Sequence, residues 1–282
     1  MRLLLEKQFG PIGRKILIFS IVCLAALVVF IVFALPAHGS SQRSVKPSME
    51  SQQESRIARV PILSYHLVRP SYPRDDWLIK EYLVTSDVFD EEMNYLSSNG
   101  YHVIPFSALE AYIDEGTPLP PKPVIISFDD GWENQFAYAF PILQKYRLTA
   151  TFFIYTNAID STNHLTWGQV KTMSDAGMVI GSHSLSHPFL AKIADATDLW
   201  REIADSKKII EEHIGKTVNE FAYPYGSYNQ ATIADVEKAG YKSARKFSIF
   251  STSVFHSKGD MYALSAIPAP NSLPDFERAL DQ

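Results

Sequence analysis

The sequence predicts an α/β fold built on a parallel sheet or barrel, and three observations carry that expectation. Short apolar, β-branched runs alternate with amphipathic segments along most of the chain, the pattern of strand–helix–strand units. The run Val124-Ile125-Ile126-Ser127-Phe128 leads directly into Asp129-Asp130-Gly131, as a buried strand does when it ends at a polar site. From Val60 to the C-terminal Gln282 there are about 225 residues, a common size for one α/β barrel.

Taken in order, Val60-Pro61-Ile62-Leu63-Ser64-Tyr65-His66 reads as a strand ending in an aromatic residue and a histidine. Ser86 is the expected N-cap of a helix over 88–98, whose Phe89, Met93 and Leu96 share a face and which Gly100 closes. Residues 101–104 restart as a strand, Phe106–Glu115 as a helix, and 118–123 form a proline-rich turn. Pro123 cannot donate to a ladder and so suits the first position of the central strand. A helix over 135–146 leads to a strand at 150–155. Trp167–Asp175 is helical, with Trp167 packing it onto the sheet, and Gly177 precedes a strand at 178–180. Residues 197–214 form the longest amphipathic helix, with Trp200 expected in the core. Residues 221–223 are a strand, and 229–239 a helix stopped by Gly240. In such folds chemistry gathers at the C-terminal ends of the strands.

Composition narrows the chemistry. The 282 residues are 46% hydrophobic with a net charge of −5, enough for a large core. No basic cluster lies outside the N-terminus, so nucleic acid is not an expected partner. The one cysteine, Cys23, falls in the apolar N-terminal run, so any metal in the rest of the chain is held by His, Asp or Glu. Residues 16–35 carry no charge and follow Arg2, Lys7, Arg14 and Lys15. That predicts a single-pass transmembrane signal-anchor with residues 1–15 in the cytoplasm, a flexible linker at 36–57 and an extracytoplasmic domain over 58–282. The alternative is a secreted chain cleaved after Val32-Phe33-Ala34 or near Ala37.

Asp129 and Asp130 follow a strand, and neighbouring strand side chains face opposite ways, so the two carboxylates have different jobs: one can hold a metal while the other handles a proton. The plainer reading is a helix N-cap with an acidic first turn, since Glu133 follows. His183 and His187 are four apart after the next strand but one, on one face if the segment turns helically. With an aspartate they make a two-histidine, one-carboxylate set, which leaves positions open on a divalent ion, as a catalytic centre requires.

Ser127-Phe128-Asp129-Asp130-Gly131, His183-Ser184-Leu185-Ser186-His187-Pro188 and Tyr223-Pro224-Tyr225-Gly226 resemble, in order and spacing, the three motifs of the polysaccharide deacetylases (carbohydrate esterase family four, NodB-homology domain). The resemblance implies a distorted TIM-like (β/α) barrel, here preceded by the transmembrane helix. It implies Asp130, His183 and His187 as ligands of one divalent ion, zinc first, with cobalt, nickel or manganese as alternatives. It implies Asp129 as general base on the attacking water and the Tyr225 N–H as oxyanion donor, with Pro224 and Tyr225 at the substrate. The implied reaction is hydrolytic N-deacetylation of N-acetylglucosamine in a cell-surface polysaccharide, poly-N-acetylglucosamine or peptidoglycan, by a monomer that releases acetate.

Two positions depart from the pattern. The family's arginine two residues before the motif proline is Ala222 here, and the C-terminal Leu-x-His is replaced by Leu264-Ser265-Ala266. Ser64-Tyr65-His66 resembles the Met-Tyr-His start of the circularly permuted poly-N-acetylglucosamine deacetylase branch, which makes His66 the candidate acid, and Arg245 is a candidate for the missing arginine. The rival reading is a catalytically inactive module that binds surface glycan; a glycosidase using Asp129 and Asp130 is disfavoured, because adjacent residues cannot readily flank one bond. Trp132 is either a sugar-stacking rim or a packing residue. His102, His164, His213 and His256 have no motif around them and read as structural or solvated.

Overall fold

The computed structural model describes residues 56–282. The predicted transmembrane segment 16–35, the cytoplasmic residues 1–15 and all but the end of the linker lie outside the described residues. Among the described residues, no helix is long and apolar enough to cross a membrane.

The chain runs β1 (Ile57–Arg59), β2 (Ile62–Tyr65), β3 (Leu67–Val68), α1 (Trp77–Tyr82), β4 (Leu83–Val84), α2 (Ser86–Ser98), β5 (His102–Val103), α3 (Phe106–Glu115) and β6 (Pro123–Phe128). A π-turn (Gln135–Ala139), α4 (Phe140–Tyr146), β7 (Thr151–Ile154), α5 (Trp167–Asp175), β8 (Val179–Ser182) and α6 (Ala196–Ile214) follow. The remainder is β9 (Glu220–Ala222), α7 (Gln230–Lys238), β10 (Ser243–Phe247), β11 (Phe255–Ser257), β12 (Leu264–Pro268) and α8 (Leu273–Leu280). Seven parallel strands close a barrel in the order β2, β12, β10, β9, β8, β7, β6, with β6 returning to β2. β5 occupies the first half of one β6 edge (Val103 opposite Val124) and β7 the second half (Ser127 opposite Thr151).

Alternation sorts the strand residues. Ile62, Ile125, Phe153, Ala222, Leu264 and Ala266 fill the barrel together with Phe106, Leu109 and Ile113 of α3, which closes the N-terminal end. Leu63, Tyr65, Val124, Ile126 and Phe128 pack outward against Phe89, Met93 and Leu96 of α2. The interior is tight: a Cβ on Gly181 would lie 2.5 Å from the Phe153 ring, so β8 can pass this phenylalanine only with glycine.

Several local expectations change. Thr85, not Ser86, caps α2, its hydroxyl accepting from Val88 N–H. The helix expected over 135–146 begins as a π-turn, because Pro141 has no N–H to donate four residues back; Phe140 N–H bonds Gln135 C=O instead. Trp200 is half-buried rather than core, with Lys238 over its ring at 4.3 Å. The strands β10 and β12 were not anticipated, because Ser243-Ala244-Arg245-Lys246 and Leu264-Ser265 are too polar to read as barrel strands.

Glu220 opens β9 at the closed end and is buried. Burial, and then the neighbouring Glu110, push its carboxyl from the ordinary 4.5 up to about 7. A raised acid stabilises the fold fully below its unfolded value, and that contribution is lost as pH rises through the folded one. Stability should therefore fall between pH 4.5 and about 7 by up to ~3 kcal/mol. Thermal melts of Glu220→Gln should lack this component, and parent and variant curves that run parallel across the range would contradict it.

Candidate active site

The site sits at the C-terminal rim of the barrel. Asp129 continues the strand, its N–H donating to Tyr65 C=O at 2.9 Å. Asp130 then turns left-handed (φ 73°), followed by Gly131 (φ 71°). A left-handed conformation costs a residue with a Cβ about 1–2 kcal/mol, though aspartate tolerates it better than most. The turn separates the two side chains. Asp129 is buried in the barrel mouth, where Arg245 Nη2 binds its Oδ1 and Ser64 Oγ donates to Oδ2 at 3.2 Å. His66 Nε2 stands 3.7 Å from the same Oδ2. Asp130 faces the histidines, its Oδ1 lying 3.2 Å from His187 Nε2 and 3.6 Å from His183 Nε2, while the Trp132 indole N–H donates to Oδ2 at 3.0 Å.

His183 follows β8, and its Nδ1 meets Ala222 C=O at 2.8 Å, which aims Nε2 at Asp130. The helical turn expected for 183–187 is absent. Ser184 (φ 71°) and His187 (φ 64°) are both left-handed, and this tight loop, not a helix face, brings the two Nε2 atoms to 3.2 Å. A divalent ion with ligands about 2.0–2.1 Å away at tetrahedral angles needs donors about 3.3–3.4 Å apart. The three donors Asp130 Oδ1, His183 Nε2 and His187 Nε2 fit that requirement.

Protonation favours the same use. Burial alone would raise the Asp130 carboxyl, but the His187 hydrogen bond and the adjoining His66, His183 and His187 imidazoles hold it well below the usual range. Burial, outweighing Asp129 and Asp130, brings His183 down to about 4. At neutral pH an ionised carboxylate thus adjoins a neutral imidazole, the forms that donate lone pairs to a metal.

Arg245 stands directly opposite Ala222 in the β9–β10 register. The arginine that Ala222 lacks comes from the neighbouring strand, and the small alanine leaves room for it. Arg245 is 1% exposed, and its guanidinium lies 4.7 Å from the Phe153 ring centroid. Gln135, placed by the π-turn, donates to both His66 C=O and Asp129 C=O, tying the two backbone positions together.

His66, Asp129, Asp130, Trp132, His183, His187 and Tyr225 all line one cavity of about 710 Å³. Pro224 does not line it: it is buried, and Tyr225 (φ 56°) instead forms the wall, its ring stacked on Phe189 at 4.1 Å and 4.5 Å from His187. Gly226 is fixed by close approach, since a Cβ there would lie 2.2 Å from Phe247 C=O. Trp132 combines both readings given to it, lining the cavity while holding Asp130, and His164 stacks on its indole at 4.4 Å. His256 is buried and bonded to Val60 C=O, away from the site. Ser64, Gln135 and His164 were missed as site residues. Ser64 carried a readable signal, a polar side chain in phase with inward-facing Ile62.

Fold and site define a parallel (β/α) barrel with a two-histidine, one-carboxylate cluster beside an arginine-held carboxylate. Residues 116–244 match the polysaccharide deacetylase family. The Bacillus subtilis protein YxkH is 31% identical over 185 residues, covering 66% of this chain and 63% of that relative's length. A poly-β-1,6-N-acetyl-D-glucosamine N-deacetylase of Staphylococcus epidermidis is 27% identical over 244 residues, covering 79% of this chain and 83% of its own. Among solved structures, the Streptococcus pyogenes deacetylase PplD, in complex with acetate, matches with a TM-score of 0.72 at 24% identity over 80% of this chain and 100% of its own. IcaB from Ammonifex degensii matches with 0.68 at 23% over 79% of this chain and 97% of its own; both likenesses concern the fold. The chain carries a polysaccharide deacetylase domain of the carbohydrate esterase family four (NodB) type.

Removing one partner of a buried ion pair leaves the other charge uncompensated. Arg245→Met should therefore destabilise the domain by about 3–5 kcal/mol, and adding Asp129→Asn should recover part of the loss. Urea melts of the single and double variants measure both, and additive losses would show that the two groups do not act as a pair.

Proposed function

We propose that the protein hydrolyses the acetamide of N-acetylglucosamine residues in a cell-surface polysaccharide, releasing acetate and leaving a free amine. Poly-β-1,6-linked N-acetylglucosamine is the favoured polymer, and relatives named for that activity support the choice. The observation that carries the reading is the division of two adjacent carboxylates: Asp129 is held by Arg245, and Asp130 faces two histidines.

Asp130, His183 and His187 would hold one divalent ion, zinc by preference for a nitrogen and carboxylate set. When bound, the ion supplies Lewis acidity, polarising a carbonyl and making water more acidic at neutral pH. Asp129 takes the proton from the water that attacks the acetamide carbon. Arg245 grips Oδ1, so Oδ2 is the atom free to receive it. The Tyr225 backbone N–H supports the oxyanion. As the C–N bond breaks, protonated His66 delivers its proton to the departing nitrogen. His66 and Asp129 at 3.7 Å are close enough to serve one reacting centre from the same rim. The aromatic rings of Tyr82 and Phe247, 4.9 and 5.0 Å from the His66 ring, fix its orientation.

An inert glycan-binding module was suggested by Ala222 and the missing C-terminal histidine. Arg245 and His66 occupy the matching places in space, which favours the enzyme. Residues 16–35 would anchor the domain outside the cytoplasmic membrane, in reach of such a polymer.

Acetate release should be measured from poly-β-1,6-N-acetylglucosamine, peptidoglycan fragments and chitin oligomers with defined metals. The first polymer should be the preferred substrate. His66→Ala should keep fold and metal content but lose about a hundredfold in turnover. Release from none of the three polymers would sink the proposal, and an unimpaired His66→Ala would remove His66 as the acid.

A further inference from the structure

The loop between His183 and His187 has an unusual backbone. Two of its five residues, Ser184 and His187, are left-handed without being glycine. Such a loop persists only where its surroundings over-determine it. Inside the loop, Ser184 Oγ accepts the His187 N–H at 2.9 Å. Outside it, the tie is a side chain of α6 that sequence reading did not single out. Glu202 Oε2 accepts the Leu185 N–H at 3.1 Å and the Ser186 N–H at 2.9 Å, and Oε1 accepts the Ser186 hydroxyl. One turn on, at the same face of α6, Ser206 meets Ser182 Oγ at 2.8 Å, and Ser182 Oγ in turn accepts the Ser184 N–H at 3.3 Å. From the opposite side Asn157 N–H bonds Leu185 C=O at 2.9 Å.

We infer that Glu202 is a positioning residue for the His183–His187 pair. Its carboxylate satisfies three donors at the crown of the loop and so holds His187 Nε2 within 3.2 Å of both His183 Nε2 and Asp130 Oδ1. Without it the crown amides turn to solvent, the left-handed residues relax, and the two imidazoles no longer converge. Glu202 itself touches neither histidine ring, so its effect is on geometry and not on the donor atoms. The inference rests on the ion site given under the proposed function.

The test is cobalt(II) titration of the full chain at one neutral pH, read by visible absorption, with no substrate present. Glu202→Ala should raise the cobalt Kd by about tenfold to a hundredfold, the range seen when partners of metal-binding side chains are lost. Its absorption bands should also shift. Glu202→Gln keeps a carbonyl acceptor for the two amides and should restore most of the affinity. Glu212→Ala, an exposed change on the same helix, should leave the Kd unchanged. Hydrogen exchange over 183–188 should rise in Glu202→Ala without a comparable rise in the barrel strands. If Glu202→Ala does not fold, Glu202→Asp, with its shorter reach, should show the raised Kd at an unaltered melting temperature. Cobalt binding by Glu202→Ala as tight as in the parent, or a loss no larger than in Glu212→Ala, would overturn the inference. Failure of the parent to bind cobalt would instead remove the ion site itself, and the inference with it.

Discussion

The reversal of the backbone at Asp130 is the constraint on which the site depends. A continuing strand would send Asp129 and Asp130 to opposite faces of the barrel wall, one inward and one among the packed helices. The left-handed turn at Asp130, continued by Gly131, keeps the second carboxylate on the rim and rotates it toward β8. The two acids then share the cavity without sharing partners: an arginine and a serine for the first, two histidines and an indole for the second. Equal environments would give two carboxylates competing for one proton; unequal ones allow one to serve as ligand and one as base.

The barrel supplies these unequal partners from strands far apart in sequence. Ser64 and His66 come from β2 and the segment just after it, Arg245 from β10, and His183 from the end of β8. Each reaches the rim because inward positions recur every second residue and the strands are parallel. The interior has little spare volume, as Gly181 against Phe153 demonstrates. An arginine rising from either β9 or β10 can reach Asp129, and the alanine opposite Arg245 is the complement of that choice.

Much of this was legible in the sequence. The strand into Asp129-Asp130-Gly131, the helices at Phe106–Glu115 and Trp167–Asp175, and the histidine pair all carry strong local signals. Backbone conformation was not legible. Nothing in Ser184 or His187 announces a left-handed residue, and the spacing of four suggested a helical turn that the loop does not make. Strand β10 was hidden because its inward residues, Ser243 and Arg245, are polar, and a short strand is read mainly from its apolar face. The π-turn followed from Pro141, whose effect on the preceding turn was readable but not drawn. Long-range partners such as Glu202 for the ligand loop, or Gln135 for His66, leave no trace at sequence level, since their only signal is proximity in the folded state.

The division of labour between the two carboxylates can be seen directly. Crystals of the domain grown with zinc and measured at the zinc absorption edge should give one anomalous peak at the site. That peak should lie about 2.0–2.2 Å from Asp130 Oδ1, His183 Nε2 and His187 Nε2, with Asp129 outside the coordination shell and still bound to Arg245. A zinc ion ligated by Asp129, or no zinc between the two histidines, would contradict the account.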